Sequence, residues 1–160
     1  EINLASKFNL IETCILRLHN VYGYPCELDE KKSQVIPALC KKVIENDELH
    51  VWGSGKQKRA FVFIDDIING ILKALENGFD KGTIQLGPEE SISIEKIAYK
   101  IANFKNKKVN IIFDKTKAEG DFDRFADISY AKKILNWEPK ISIDEGLQKT
   151  YNWVNKRLQK

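Results

Sequence analysis

The sequence predicts an α/β domain, and three observations carry that prediction. Short apolar runs of strand length alternate with segments of helical periodicity, Gly, Pro and Asn mark the boundaries, and no repeat or low-complexity linker interrupts the order. A chain of 160 residues, 42% apolar and 31% charged, suits one domain with a sizeable core and is too short for two ordinary ones.

The elements follow in order. EINLASKFN, with Leu4, Ala5 and Phe8 at helical spacing, reads as the last turns of a helix. Residues 11–18 form a continuous apolar run, the pattern of a strand covered on both faces. YGYPCELDEKK is a loop, and residues 33–46 a helix that turns Ile36, Leu39, Cys40, Val43 and Ile44 inward together with Val35, with Pro37 near its first turn. Residues 49–52 and 60–64 are short strands flanking GSGKQK. Asp65 is placed to cap the next helix, expected to bury Ile68, Ile71, Leu72 and Leu75 and to stop at Asn77-Gly78. A strand at 83–86, a helix opened by Ser93, a strand at 109–113 and a short helix over 131–137 follow. Ser142-Ile143-Asp144-Glu145 is a capping box for a last helix with Leu147, Tyr151, Val154 and Leu158 inward.

Composition excludes several function classes. The net charge is +3 and the basic residues are dispersed, so no nucleic-acid partner is indicated. No apolar run approaches the length of a membrane span. Cys14, Cys26 and Cys40 are odd in number and form no CxxC pair; neither zinc nor a disulfide framework is indicated, and a reducing cytoplasm fits best. There is no methionine at the start or elsewhere, so the chain is expected to be a piece of something longer.

Two stretches carry candidate chemistry. In RLHNVYG, Arg17, His19 and Asn20 end an apolar strand, and burying such groups without partners is costly, so either the strand surfaces there or they face a ligand. In WGSGKQKRAFVFIDD, Arg59 sits where a glycine-containing loop enters an apolar strand, which holds its planar fork ready for phosphate oxygens. The plainer alternative is a solvated hairpin with surface charges. GSGK lacks the spacing of a P-loop. Arg124 lies among Asp121, Asp123 and Asp127, where carboxylate pairing is the simpler role, and His50 is most simply structural. Trp137 and Trp153 fall on expected core faces.

RLHNVYG, then WGSGKQKRAFVFIDDIINGILKALE, then TIQLGPEESISIEKIA, then ADISYAKKILNWEPK occur in this order across nearly the whole chain. In this it resembles the C-terminal, substrate-binding subdomain of an extended Rossmann-type short-chain dehydrogenase/reductase, of the NAD-dependent epimerase/dehydratase family acting on nucleotide sugars. The resemblance implies that residues 1–23 end a Rossmann-domain helix and supply its sixth strand, and that 24–160 form the substrate-binding subdomain with about five helices. It implies a GDP-, UDP- or dTDP-sugar as ligand, NAD(P) as cofactor of the complete enzyme, and a homodimer. By the same resemblance Asn20 bonds the nucleotide sugar near its phosphates, and Leu18 and His19 pass the nicotinamide. Arg59 and Arg124 grip the diphosphate from two sides, and Val51 and Trp52 line the base pocket. Arg17 is unassigned, and a structural ion pair is expected for it.

The departures from the family pattern are equally informative. No GxxGxxG loop is present to hold a dinucleotide pyrophosphate, and no tyrosine has a lysine four residues later to make it a base. The helix stub EINLASKFN matches the end of the helix that carries that pair in the family. Phe122 stands where the nearest motif relatives have another arginine. The chain alone is therefore expected to bind no NAD and to be inactive, its role being nucleotide-sugar binding. The alternative is a stand-alone, non-catalytic binding or regulatory module.

Overall fold

The computed structural model describes residues 2–8, 10–117 and 123–159, so Asp121 and Phe122 lie outside the described residues. In chain order it contains α1 (Ile2–Lys7), β1 (Ile15–Leu18), β2 (Asn20–Tyr22), α2 (Val35–Glu45), β3 (Glu48–Trp52), β4 (Lys58–Arg59), β5 (Phe61–Phe63) and α3 (Ile64–Asn77). Then come β6 (Thr83–Leu86), β7 (Ile92–Ser93), α4 (Ile94–Ala102), β8 (Asn110–Asp114), α5 (Ser129–Leu135) and α6 (Ile143–Leu158). The architecture is α/β, as the alternation predicts.

The strands pair two by two. β1 runs parallel to β6, β2 to β5 and β3 to β8, while β4 and β7 are antiparallel. Between β1 and β2 the chain changes partner within two residues: the His19 N–H donates to Leu86 O at 3.0 Å, and the Asn20 N–H to Ala60 O at 3.2 Å. The crevice so opened at the carboxyl ends of parallel strands is where open α/β folds bind ligands. Gly87 is needed there, because a Cβ on it would lie 2.7 Å from His19 Cβ.

Two cores flank this switch. One gathers α2, α4 and α6 around Leu49, Val51 and Phe63; the other joins α3, α5 and β6 around Trp137. Asp66 ties the second core to the chain leading into α6. Its carboxylate accepts the Lys140 and Ile141 N–H groups, both at 3.0 Å, and its carbonyl accepts Trp137 Nε1 at 3.0 Å. Ser93 and Ser142 cap their helices as expected, accepting the N–H groups of Lys96 and Glu145.

Several expectations need correction. The run over 11–18 is a strand only from Ile15, and Ile11 and Leu18 are exposed, because β1 has β6 on one edge and no strand on the other among the described residues. Val35 is exposed, at the mouth of α2. Helix α3 starts at Ile64 with no side-chain cap, so Asp65 lies inside its first turn. Its buried face is Ile67, Gly70 and Ala74, whereas Ile68, Ile71, Leu72 and Leu75 are exposed. Gly53 and Gly55, at φ 74° and 72°, serve the turn itself, and a Cβ on Gly55 would strike Phe113 at 2.5 Å.

Candidate nucleotide-sugar site

Two hollows open side by side at the β1–β2 switch, of about 570 and 700 Å³. They share a wall made of Asn20, Val35 and Phe61. The first hollow is bounded by the open side of β3, with Val51 and Trp52, and by Arg59; the second by Leu18, His19 and Arg124. The residues singled out in the sequence thus fall on the walls of these two hollows, with Asn20 on both.

Each is positioned by its element. Val51 is 2% exposed and Trp52 63%, because alternate residues of β3 point to opposite faces. Val51 can therefore offer a ligand little beyond main chain, while the indole stands at the rim with Lys117 Nζ 6.0 Å from its ring centre. Arg59 ends β4, its Nη1 donating to Lys58 O at 2.7 Å. The neighbouring Lys58 pairs with Asp123 at 3.7 Å, and Asp127 accepts the Ser129 N–H at 3.0 Å. His19 shares a hydrogen bond of 3.1 Å with Gln85 across β6.

One expectation is overturned here, and one residue is placed unexpectedly. Arg17 makes no ion pair among the described residues and opens onto the second hollow. His50 is exposed and lines the first hollow. The signal for His50 was legible: with Leu49 and Val51 inward, period-2 alternation puts Glu48, His50 and Trp52 on the other face. Among the described residues, those lining the second hollow include two arginines and no carboxylate. Its one tyrosine, Tyr22, is pushed up from the ordinary phenol value by burial and then by Asp66, Asp144 and Glu145. That keeps it a neutral phenol, the opposite of what a tyrosine base requires. Burial likewise pushes the Cys26 thiol up to about 11. No cluster able to hold a metal ion occurs among the described residues, and none of their helices is long and apolar enough to cross a membrane.

Two hollows thus adjoin at an α/β switch point, with Arg59 bordering one and Arg17 and Arg124 the other. A sequence model of the NAD dependent epimerase/dehydratase family matches residues 2–87, more than half of the chain. The chain belongs to that family.

Among curated relatives, it is 31% identical to GDP-mannose 3,5-epimerase of Arabidopsis thaliana over 94% of this chain and 40% of that protein. It is 30% identical to UDP-glucuronic acid decarboxylase 1 of Xenopus tropicalis, over 93% of this chain and 35% of the relative. Among solved structures, UDP-glucuronic acid 4-epimerase from Bacillus cereus, in complex with UDP-glucuronic acid and NAD, superposes with a TM-score of 0.81. Identity there is 29%, covering 98% of this chain and 49% of that one. The epimerase Mth375 of Methanothermobacter thermautotrophicus, 21% identical with a TM-score of 0.87, shares the fold, over 99% of this chain and 47% of its own. The chain spans about two-fifths of these curated relatives and half of these structures.

Proposed function

We propose that this chain is the nucleotide-sugar-binding part of an NAD-dependent nucleotide-sugar epimerase or dehydratase. The nucleoside occupies the first hollow, the sugar the second, and the diphosphate lies over Asn20 between Arg59 and Arg124. The observation that carries this reading is the shared wall, Asn20 with Val35 and Phe61, with one of these arginines on either side. Trp52 and the β3 edge at Val51 bound the base, and Leu18 and His19 face the nicotinamide end of a cofactor. GDP-mannose, UDP-glucuronate and UDP-glucose, the sugars named for its relatives, set the range of candidates. The three free thiols suit a reducing compartment such as the cytoplasm, and the complete enzyme is a homodimer on this reading.

The described residues do not by themselves fit a dinucleotide. No strand among them passes through a glycine-rich turn into a helix N-terminus, which is where a pyrophosphate would be held. What they can do is bind and orient: two guanidiniums neutralise a diphosphate, and the apolar wall excludes water beside it. The dinucleotide-binding portion, on the same polypeptide or another, supplies the redox chemistry.

Binding of UDP and GDP to the 160-residue chain, followed by calorimetry, tests this. Charge-assisted hydrogen bonds contribute ~1.5–3 kcal/mol, so Arg59→Ala and Arg124→Ala should each weaken binding about tenfold or more. Neither should alter a free sugar's affinity. Unchanged nucleotide affinity in either variant removes that arginine from the site.

A further inference from the structure

Arg59 and Arg124 border different hollows and stand on segments that are held in different ways. The turn before Arg59 is clamped. The Glu95 N–H donates to Gly55 O at 2.9 Å, the Ile94 N–H to Gln57 O at 3.1 Å, and Lys58 pairs with Ser93 across β4 and β7. Residues 123–128 form neither helix nor strand, and Asp123, Arg124 and Phe125 are exposed. The first of them to enter a core is Ala126, whose N–H donates to Pro88 O at 3.3 Å. Arg124 lies upstream of that anchor. One contact reaches from its segment across to the clamped turn: Lys58 Nζ lies 3.7 Å from the Asp123 carboxylate. The two partners are the residues immediately before the two arginines.

We propose that the Lys58–Asp123 ion pair is a tether that holds the Arg124 segment to the β4 turn, so that both guanidiniums stand ready for one diphosphate before it arrives. This rests on the reading that Arg59 and Arg124 share the diphosphate, and makes Lys58 and Asp123 positioning residues. Two guanidiniums aimed at one point repel each other while the site is empty. Opposite charges on the preceding residues offset that repulsion and keep the two arms together. Apparent affinity falls with the fraction of chains in the competent arrangement, and an exposed ion pair moves that fraction by up to about fivefold. The tether therefore tunes affinity and does not create it. A carboxylate is repelled by a diphosphate, so by charge alone Asp123 should weaken binding. As a tether it strengthens binding, and this reversal of sign sets the two roles apart.

The test titrates UDP and GDP by calorimetry into the unmodified chain and into Asp123→Asn, at low ionic strength, where the pair is least screened. Loss of the tether should weaken binding of both nucleotides about two- to fivefold. Exchanging the partners, Lys58→Asp with Asp123→Lys, should restore most of that affinity. In an Arg124→Ala background, Asp123→Asn should bring no further loss, because the tether acts through that arginine. Tighter or unchanged binding by Asp123→Asn overturns the proposal while leaving the nucleotide site standing. So does an exchanged pair that regains nothing, or a loss that persists undiminished without Arg124. A melting temperature that falls with affinity intact also overturns it, being the mark of a merely structural ion pair. Failure of the unmodified chain to bind either nucleotide instead sinks the reading of the site as a whole, and this inference with it.

Discussion

Asp65 and Asp66 adjoin in sequence and play unlike parts. Asp65 is exposed, whereas Asp66 is 7% exposed and holds two backbone N–H groups of the segment before α6. Removing its carboxylate leaves both amides without their acceptor, at ~1–3 kcal/mol each when buried. Asp66→Ala should thus lower stability by about 2–4 kcal/mol in urea unfolding, and Asp66→Asn, which keeps one carbonyl oxygen, by less. A loss under about 0.5 kcal/mol, the range of an ordinary surface substitution, would show that the pair of bonds matters little. Sequence alone offers a capping aspartate at either position, because the segment that Asp66 binds lies over seventy residues away. The same limit governed the cavity walls. Asn20, Arg59 and Arg124 were legible because each belongs to a motif in a fixed order along the chain. Arg17 was not, since a polar side chain on a short strand declares its direction only once its neighbours are packed.

At the scale of the element, α3 shows what periodicity can and cannot say. Ile67, Gly70 and Ala74 make one stripe, and Ile68, Ile71, Leu72 and Leu75 another, roughly 100° further round at 3.6 residues per turn. A helix apolar on most of its circumference belongs inside a larger body, and sequence does not say which stripe this chain covers. The stripe chosen here contains Gly70, where a Cβ would sit 2.8 Å from Leu86 and 3.0 Å from the Trp137 indole nitrogen, so close approach decided the matter. On the proposed function, the exposed stripe is covered by the dinucleotide-binding portion. Ile71→Lys with Leu75→Lys should then change the stability of this chain by no more than about 0.5 kcal/mol per site, as for other surface positions. The same pair should abolish association with a dinucleotide-binding half supplied in trans, read by size-exclusion chromatography. Severe unfolding of the isolated double variant would show the stripe to be core after all. Boundaries elsewhere were legible to within a residue or two, Thr83–Leu86 and the Ser93 and Ser142 caps among them, because local capping and β-branched runs set them.

The described residues form two cores, two adjoining hollows and four two-stranded pairs, in which each strand has one unpaired edge; that of β1 lies beside the exposed Leu18. Relatives are about twice its length or more, and dinucleotide affinity in such folds comes from a glycine-rich turn with the helix dipole behind it, which this sequence does not contain. Loss of a general base alone removes about 10²–10⁴ in rate, and here no tyrosine has its lysine partner, while Tyr22 is held neutral. The 160 residues by themselves should therefore show no measurable NAD binding by calorimetry and no turnover of GDP-mannose, UDP-glucose or dTDP-glucose. The open edge of β1 should also drive concentration-dependent association in light scattering, since an unpaired apolar strand recruits another. Adding a half that carries GxxGxxG and Tyr-x-x-x-Lys should suppress that association and restore both NAD binding and turnover. Recovery of nucleotide binding without turnover in the mixture would favour a non-catalytic module, and turnover by the chain alone would demand a catalytic group outside the walls of these two hollows.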